Sequence, residues 1–192
     1  IPIPTLEDLK NPLDEVIEPR ATQEEMTNFI ETELTESLKG LPTRTTQFGR
    51  FDKGLAYTIL MKYYMHEKNW AKAEECGREL LKAEYGYGLM DRYADIFTLE
   101  NEGNKEIIFA CTEERGTNLQ LWHDHALPGN YPTKNASIQK WDGYKVPWPF
   151  YRTFEEGDDR LSVLVGEYVG TDGVLFNEES DIAKHGNLYS GA

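Results

Sequence analysis

Five large aromatic residues, Trp122, Tyr131, Trp141, Tyr144 and Trp148, fall within one 31-residue stretch, 118–148, that is also rich in amide and carboxylate side chains: Asn118, Gln120, Asn130, Asn135 and Asp142. Flat rings flanked by such groups match ligands that carry C–H faces and hydroxyl edges, which is the surface chemistry of a sugar. Trp122 and Trp141 lead this set because their neighbours are polar. Trp148 stands between Pro147 and Pro149, a stiff setting that suits packing. The competing expectation for every ring is burial beneath long loops, where large aromatics usually reside.

Other chemistries find weaker support. His123-Asp124-His125 could offer two nitrogens to one metal ion, but spacing identifies no third ligand, so no metal or other cofactor is assigned. Glu155, Glu156, Asp158 and Asp159 could supply the carboxylate pair of a glycosidase. Adjacent acids in a turn point apart, and a solvated charge run is the expectation, with Asp158 or Asp159 paired to Arg160. No G-x-S-x-G elbow, phosphate loop or Cys/His nucleophile pattern occurs. Cys76 and Cys111 permit at most one disulfide and have no metal-binding spacing; Cys76 is expected as a buried, inert thiol.

Thirty-four acidic against 20 basic residues give a net charge of −14 over 192 residues. That charge repels nucleic acid and anionic lipid at long range, so neither is an expected partner. A hydrophobic content of 39% is enough for a buried core, and the length is that of one domain spanning residues 1–192. No apolar stretch is long enough to cross a bilayer as a helix. The chain opens at Ile1-Pro2-Ile3-Pro4 without a leader, as expected of a mature or excised piece.

Residues 1–21 read as an extended arm punctuated by Pro2, Pro4, Pro12 and Pro19. Residues 22–84 read as helical. Thr22 and Glu25 form the reciprocal box that starts a helix, Met26, Phe29, Ile30, Leu34 and Leu38 share its apolar stripe, and Gly40 with Pro42 ends it. A second, unusually apolar helix is predicted from Phe51 to His66, and a third, capped by Asn69, from Trp70 to about Glu84. The spacing of Leu60, Tyr64, Trp70, Ala73 and Leu80 is similar to a tetratricopeptide hairpin. Residues 85–192 read as turns, loops and short strands at Ile107–Ala110 and Leu161–Tyr168, with a short helix or turn near Pro149–Phe154 and no assignment after Gly170. The expected class is thus mainly α: tetratricopeptide-like helical hairpins, a long irregular loop-rich region and a few short β-strands.

Specific blocks carry a resemblance. Gly49-Arg50 precedes the hairpin, Tyr64 lies late in its first helix, and Trp70 and Ala73 open its second. Then come Tyr93-Ala94-Asp95-Ile96-Phe97, the polar loop Asn101–Asn104, Glu106-Ile107-Ile108-Phe109, and finally Phe154-Glu155 with Asp158, Asp159 and Arg160. In this order the chain resembles the SusD/RagB family of surface-exposed outer-membrane lipoproteins. Met61 stands where that family more commonly has a small residue, and the family's greater length and lipid-bearing cysteine are absent from this sequence. The resemblance implies non-catalytic capture of oligosaccharides at the cell surface and their delivery to a SusC-like TonB-dependent transporter, with membrane association only through an N-terminal lipid anchor. Trp122, Trp141, Tyr144, Tyr131, Trp148 and Asn130 are the expected ligand-binding residues. A tetratricopeptide-like module that binds protein or peptide, without sugar, is the alternative, and buried loop tryptophans would favour it. A third, an acid/base hydrolase, needs two carboxylates facing across a cleft.

Overall fold

The threonine and glutamate that open the first helix lock each other in place. Thr22 Oγ1 accepts from the Glu25 amide at 3.2 Å, and Glu25 Oε2 accepts from the Thr22 amide at 2.8 Å. In the computed structural model, which describes residues 2–4, 7, 8, 10, 19–113, 121–135, 137–187 and 190–192, this box starts α1, Gln23–Gly40. Leu41 leaves the helix in an extended conformation one residue before Pro42. The predicted apolar stripe is only half realised: Leu34 and Leu38 pack on the core, Phe29 is exposed, and α1 has no fully buried residue.

The paired helices are α2, Lys53–His66, and α3, Trp70–Leu80. Asp52, itself buried, caps α2 by accepting from the Leu55 amide at 3.0 Å and also holds the Thr45 amide at 3.1 Å. Asn69 caps α3 through Lys72, one residue after Lys68 turns the chain with φ of 58°. Leu60 and Tyr64 of α2 interlock with Ala73 and Cys76 of α3, so a small residue on the second helix admits an aromatic from the first. Each such buried apolar side chain contributes about 1.5–3 kcal/mol. Met61 fits because Gly77 faces it; a Cβ at Gly77 would stand 3.5 Å from the sulfur. Lys72 ties α3 to α1 at 3.0 Å from Glu31, and Tyr63 donates to Thr27 at 2.6 Å.

The third helix stops at Leu80 rather than Glu84 because a separate 3-10 turn, Ala83–Tyr85, follows and ends at Gly86 in the left-handed region. That turn buries Tyr85, whose ring stacks on Tyr87 at 6.0 Å, while the Arg44 guanidinium lies 4.9 Å from the Tyr87 ring centre. These elements form one of two compact units, residues 1–88 with 107–110. The strand predicted over Ile107–Ala110 does not form. An apolar run becomes a strand only beside a partner edge, and none accompanies it among the described residues; instead Phe109 meets Phe51 edge-on at 5.6 Å.

The second unit comprises residues 89–106 and 111–192. Its first part is two 3-10 turns, Tyr93–Phe97 and Leu99–Asn101, in which Tyr93 and Phe97 pack edge-on at 5.2 Å. Glu106 holds the Met90 amide at 2.9 Å. Then follow α4, Trp122–Ala126; α5, Trp148–Tyr151; a 3-10 turn, Asp159–Val163; the antiparallel pair β1, Tyr168–Val169, and β2, Leu175–Phe176; and α6, Glu178–His185. Of the strand predicted over Leu161–Tyr168 only Tyr168 is extended in a sheet, as the first residue of β1. Asp158 accepts from the Arg160 amide at 3.0 Å and pairs with its guanidinium, which nucleates a turn where extension was expected. The hairpin turns at Gly170–Gly173; a Cβ at Gly170 would lie 2.5 Å from Asp172 Oδ1 and 2.6 Å from Asn130 Nδ2, so a larger residue there would displace both side chains. Helix α6 was unassigned from sequence, yet Asn177 and Ser180 form a reciprocal cap at its start.

Candidate functional site

The five residues of α4 are too few to satisfy their own carbonyls. Segment 141–144 supplies the missing donors: the Trp141 amide reaches Asp124 O at 2.7 Å, Asp142 reaches Leu127 O at 3.1 Å, and Gly143 and Tyr144 both reach His125 O, at 2.6 and 3.1 Å. This lacing fixes the side chains on either side of it. Trp122 and Tyr144 stack at 5.0 Å with planes 18° apart. His125 sits 5.5 Å from Tyr144 and meets Trp141 edge-on at 4.7 Å. The resulting cluster is open: Trp122 is 56% exposed, Tyr144 53% and Trp141 45%. The three rings thus form an exposed aromatic patch over a backbone whose polar groups are paired.

A groove of about 460 Å³ runs beside the stack, lined by Trp122, Tyr144 and Tyr131 together with Val163, Leu164 and Val165. Tyr131 packs edge-on against Tyr168 at 4.9 Å. A second cavity of about 300 Å³ is the more polar of the two, with Asn130, Asp172, Lys184 and His185 in its wall. Asp142, Lys145, Tyr168 and Phe176 line both. The Tyr168 hydroxyl donates to Asn130 Oδ1 at 2.8 Å; burial first, then the neighbouring carboxylates of Asp142, Asp172 and Asp181, push its pKa up to about 12. Asn130 also donates to Asp172 at 3.3 Å, so its amide serves the β1–β2 turn and reaches the polar cavity rather than the aromatic groove.

Trp148 leaves the set of expected ligand residues. It is 2% exposed, packs edge-on against Tyr151 at 5.4 Å, and donates its indole N–H to Asp181 at 2.9 Å. Its flanking prolines seat it in the core of the unit, where Asp181, 1% exposed, also receives the Gly191 amide at 2.8 Å and lies 2.7 Å from His185 Nδ1. Sequence reading missed Asp181, because its partners lie 33 residues back along the chain and 10 ahead. His125, expected in an exposed polar loop or as a metal ligand, is exposed and lies beside two aromatic rings, and the described residues hold no group of three or more His, Cys, Asp or Glu that could bind a metal ion. Asn118 and Gln120 lie outside the described residues. Asn135 accepts from the Ser137 amide at 3.0 Å in a local turn.

The carboxylates considered for acid/base work are placed elsewhere. Asp158 is bound to Arg160 and Asp159 accepts from the Tyr93 amide, while Glu155 and Glu156 are exposed; none of the four lines either cavity.

No family model matches the chain, and no curated protein matches it. Among solved structures, surface glycan-binding protein A from Bacteroides thetaiotaomicron, solved in complex with laminarihexaose, has the same fold, with a TM-score of 0.63 at 19% identity. The match covers 89% of this chain and 39% of that one, so the chain spans about two-fifths of that protein's length. The mainly α, SusD-like architecture expected from the motif order is therefore the fold observed.

Proposed function

We propose that this chain binds oligosaccharides without catalysis, through the stacked pair Trp122–Tyr144 and the groove beside it. The observation that carries this is an indole packed on a phenol at 5.0 Å, held by backbone hydrogen bonds and yet more than half exposed. Sugar rings present C–H faces to such a plane and hydroxyls to its rim, where Asp142, Lys145 and the Tyr144 hydroxyl stand ready. Trp141, 45% exposed and joined to the cluster through His125, offers a second plane for a neighbouring sugar unit. Support also comes from the shared fold, since the protein it resembles was solved with a linear hexasaccharide bound.

The same kinship carries the wider role. Captured glycan passes to a SusC-like TonB-dependent transporter, and the protein sits at the outer-membrane surface on a lipid anchor outside this sequence. The net charge of −14 favours neutral glycans over uronic-acid or sulfated ones by long-range repulsion. Buried loop tryptophans would favour the peptide-module alternative, and Trp122 and Trp141 are exposed. Calorimetric titration against linear hexasaccharides of glucose, mannose and galacturonate tests the proposal. A neutral member binds and Trp122→Ala weakens it; absence of binding to every member would overturn it.

A further inference from the structure

The aromatic groove and the polar cavity share one wall, and the charged groups on that wall are an acid and a base side by side. Lys145 Nζ lies 3.3 Å from Asp142 Oδ2 and 3.9 Å from Asp181 Oδ1. Both Asp142 and Lys145 face both spaces. Surface pairs three residues apart contribute little, and Lys39–Glu36 and Lys82–Glu79 are closer, at 2.6 and 2.5 Å; shielding of the lysine rather than distance sets this pair apart. This one is built in. Asp142 is one of two described non-glycine residues with positive φ, at 53°, a conformation that aspartate and asparagine tolerate better than other side chains. The lacing of 141–144 onto α4 places Asp142 between Trp141 and Tyr144. Lys145 is four-fifths shielded from solvent, and Asp181, the second carboxylate near its ammonium, is itself fixed by Trp148 and Gly191.

One carboxylate oxygen remains unused. Asp142 Oδ1 is buried and accepts no hydrogen bond, so the group has acceptor capacity that the protein does not fill. The terminal torsion of an aspartate is soft, and a modest turn of the carboxylate exposes that capacity to either cavity. An acceptor beside a cationic donor recognises two adjacent hydroxyls: one donates to the carboxylate while the other accepts from the ammonium, and charge on both protein groups strengthens the contacts.

We infer that Asp142 and Lys145 form a clamp for a vicinal diol, seating one sugar ring at the wall between the two cavities while its neighbour stacks on Trp122; this rests on oligosaccharide binding at the groove as proposed above. The ligand class that follows is a neutral oligosaccharide with unsubstituted adjacent hydroxyls on the unit next to the stacked one. The polar cavity then receives the rest of that unit or a branch from it, with Asn130, Asp172 and Lys184 around it.

Two variants test the clamp. Asp142→Asn keeps the shape and tolerates positive φ, and Lys145→Met keeps the aliphatic stem. Each is titrated with the neutral hexasaccharide that binds the parent chain, alongside the double variant and Trp122→Ala, after thermal melting has confirmed folding. Each single substitution weakens binding about tenfold or more, and the double variant loses little beyond either single, because the two groups act as a unit. The ligand-induced change in tryptophan fluorescence persists at saturation in both singles. Full affinity in Asp142→Asn and Lys145→Met, with binding lost in Trp122→Ala, overturns the clamp and leaves oligosaccharide binding standing. Additive losses in the double variant also overturn it. If the parent chain binds no member of the panel, the clamp and the functional proposal fall together.

Discussion

The indole N–H of Trp148 donates to Asp181 Oδ2 at 2.9 Å, and both side chains are buried. A carboxylate in that position is tolerated because three donors converge on it, from Trp148, Gly191 and His185, with Lys145 behind. Asp181→Ala strands the indole and the Gly191 amide without an acceptor, and a loss of about 3 kcal/mol follows, roughly 10 °C in melting temperature. A melt within 2 °C or so of the parent would show the network to be dispensable.

The same carboxylate sets an acid limit. Burial pushes its pKa up, but hydrogen bonds from His185, Trp148 and Gly191 outweigh that, and the folded value lies below the ordinary 3.8. A lowered folded value means the contribution is complete above 3.8 and lost as pH falls through the folded value. Denaturant melts from neutral to acid pH therefore show a decline below about pH 4 that is shallower in Asp181→Asn.

Gly54 is required by a neighbour rather than by its own backbone. A Cβ there would stand 2.0 Å from the Tyr87 hydroxyl and 2.8 Å from Cζ of the same ring. Gly54→Ala gains about 1 kcal/mol of helix propensity in α2 and still destabilises, by about 1–3 kcal/mol net. In a Tyr87→Phe background the nearest atom is gone but Cζ remains, so the penalty shrinks without vanishing. Tyr87→Phe alone is close to neutral, because that hydroxyl is buried without a partner. A double-mutant cycle by chemical denaturation reads all three.

The two thiols differ in reactivity. Burial pushes the Cys76 thiol up in pKa, whereas Cys111 is exposed, and both are free. Iodoacetamide at about pH 8 labels Cys111 in the native protein and Cys76 only after unfolding, read by peptide mass mapping. Equal rates for both would contradict the packed α2–α3 core.

Asp158 titrates low. The Arg160 guanidinium, followed by the Arg160 amide, lowers its carboxyl to about 2 from the ordinary 3.8. Carboxyl carbon shifts followed by NMR return that value in the parent, and Arg160→Gln moves it back toward 3.8.

What was legible in the sequence was mostly local. The Thr22–Glu25 box and the Asn69 cap involve residues three apart, and the helices they begin stand where expected. Among the loop indoles, the polar surroundings of Trp122 and Trp141 point to exposure and both are exposed, while the prolines around Trp148 point to packing and that ring is buried. Helix α4 left no periodic signal, since Trp-His-Asp-His-Ala is stabilised by amides of residues 141–144 rather than by an apolar stripe. Helix α6 had a local signal in Asn177 and Ser180, but Ile182 alone could not form a stripe around it. The strands expected at Ile107–Ala110 and Leu161–Tyr168 overreached because pairing depends on a partner that sequence distance conceals, and at the second the Asp158–Arg160 turn competes as well.

The measurement that bears most directly on the whole account is titration of the folded chain with neutral hexasaccharides, parent against Trp122→Ala and Tyr144→Ala. Saturable binding is expected in the parent, with affinity reduced about tenfold or more in each variant, because removing either ring dismantles the stack. Binding that survives both substitutions undiminished would place the sugar elsewhere and contradict the account.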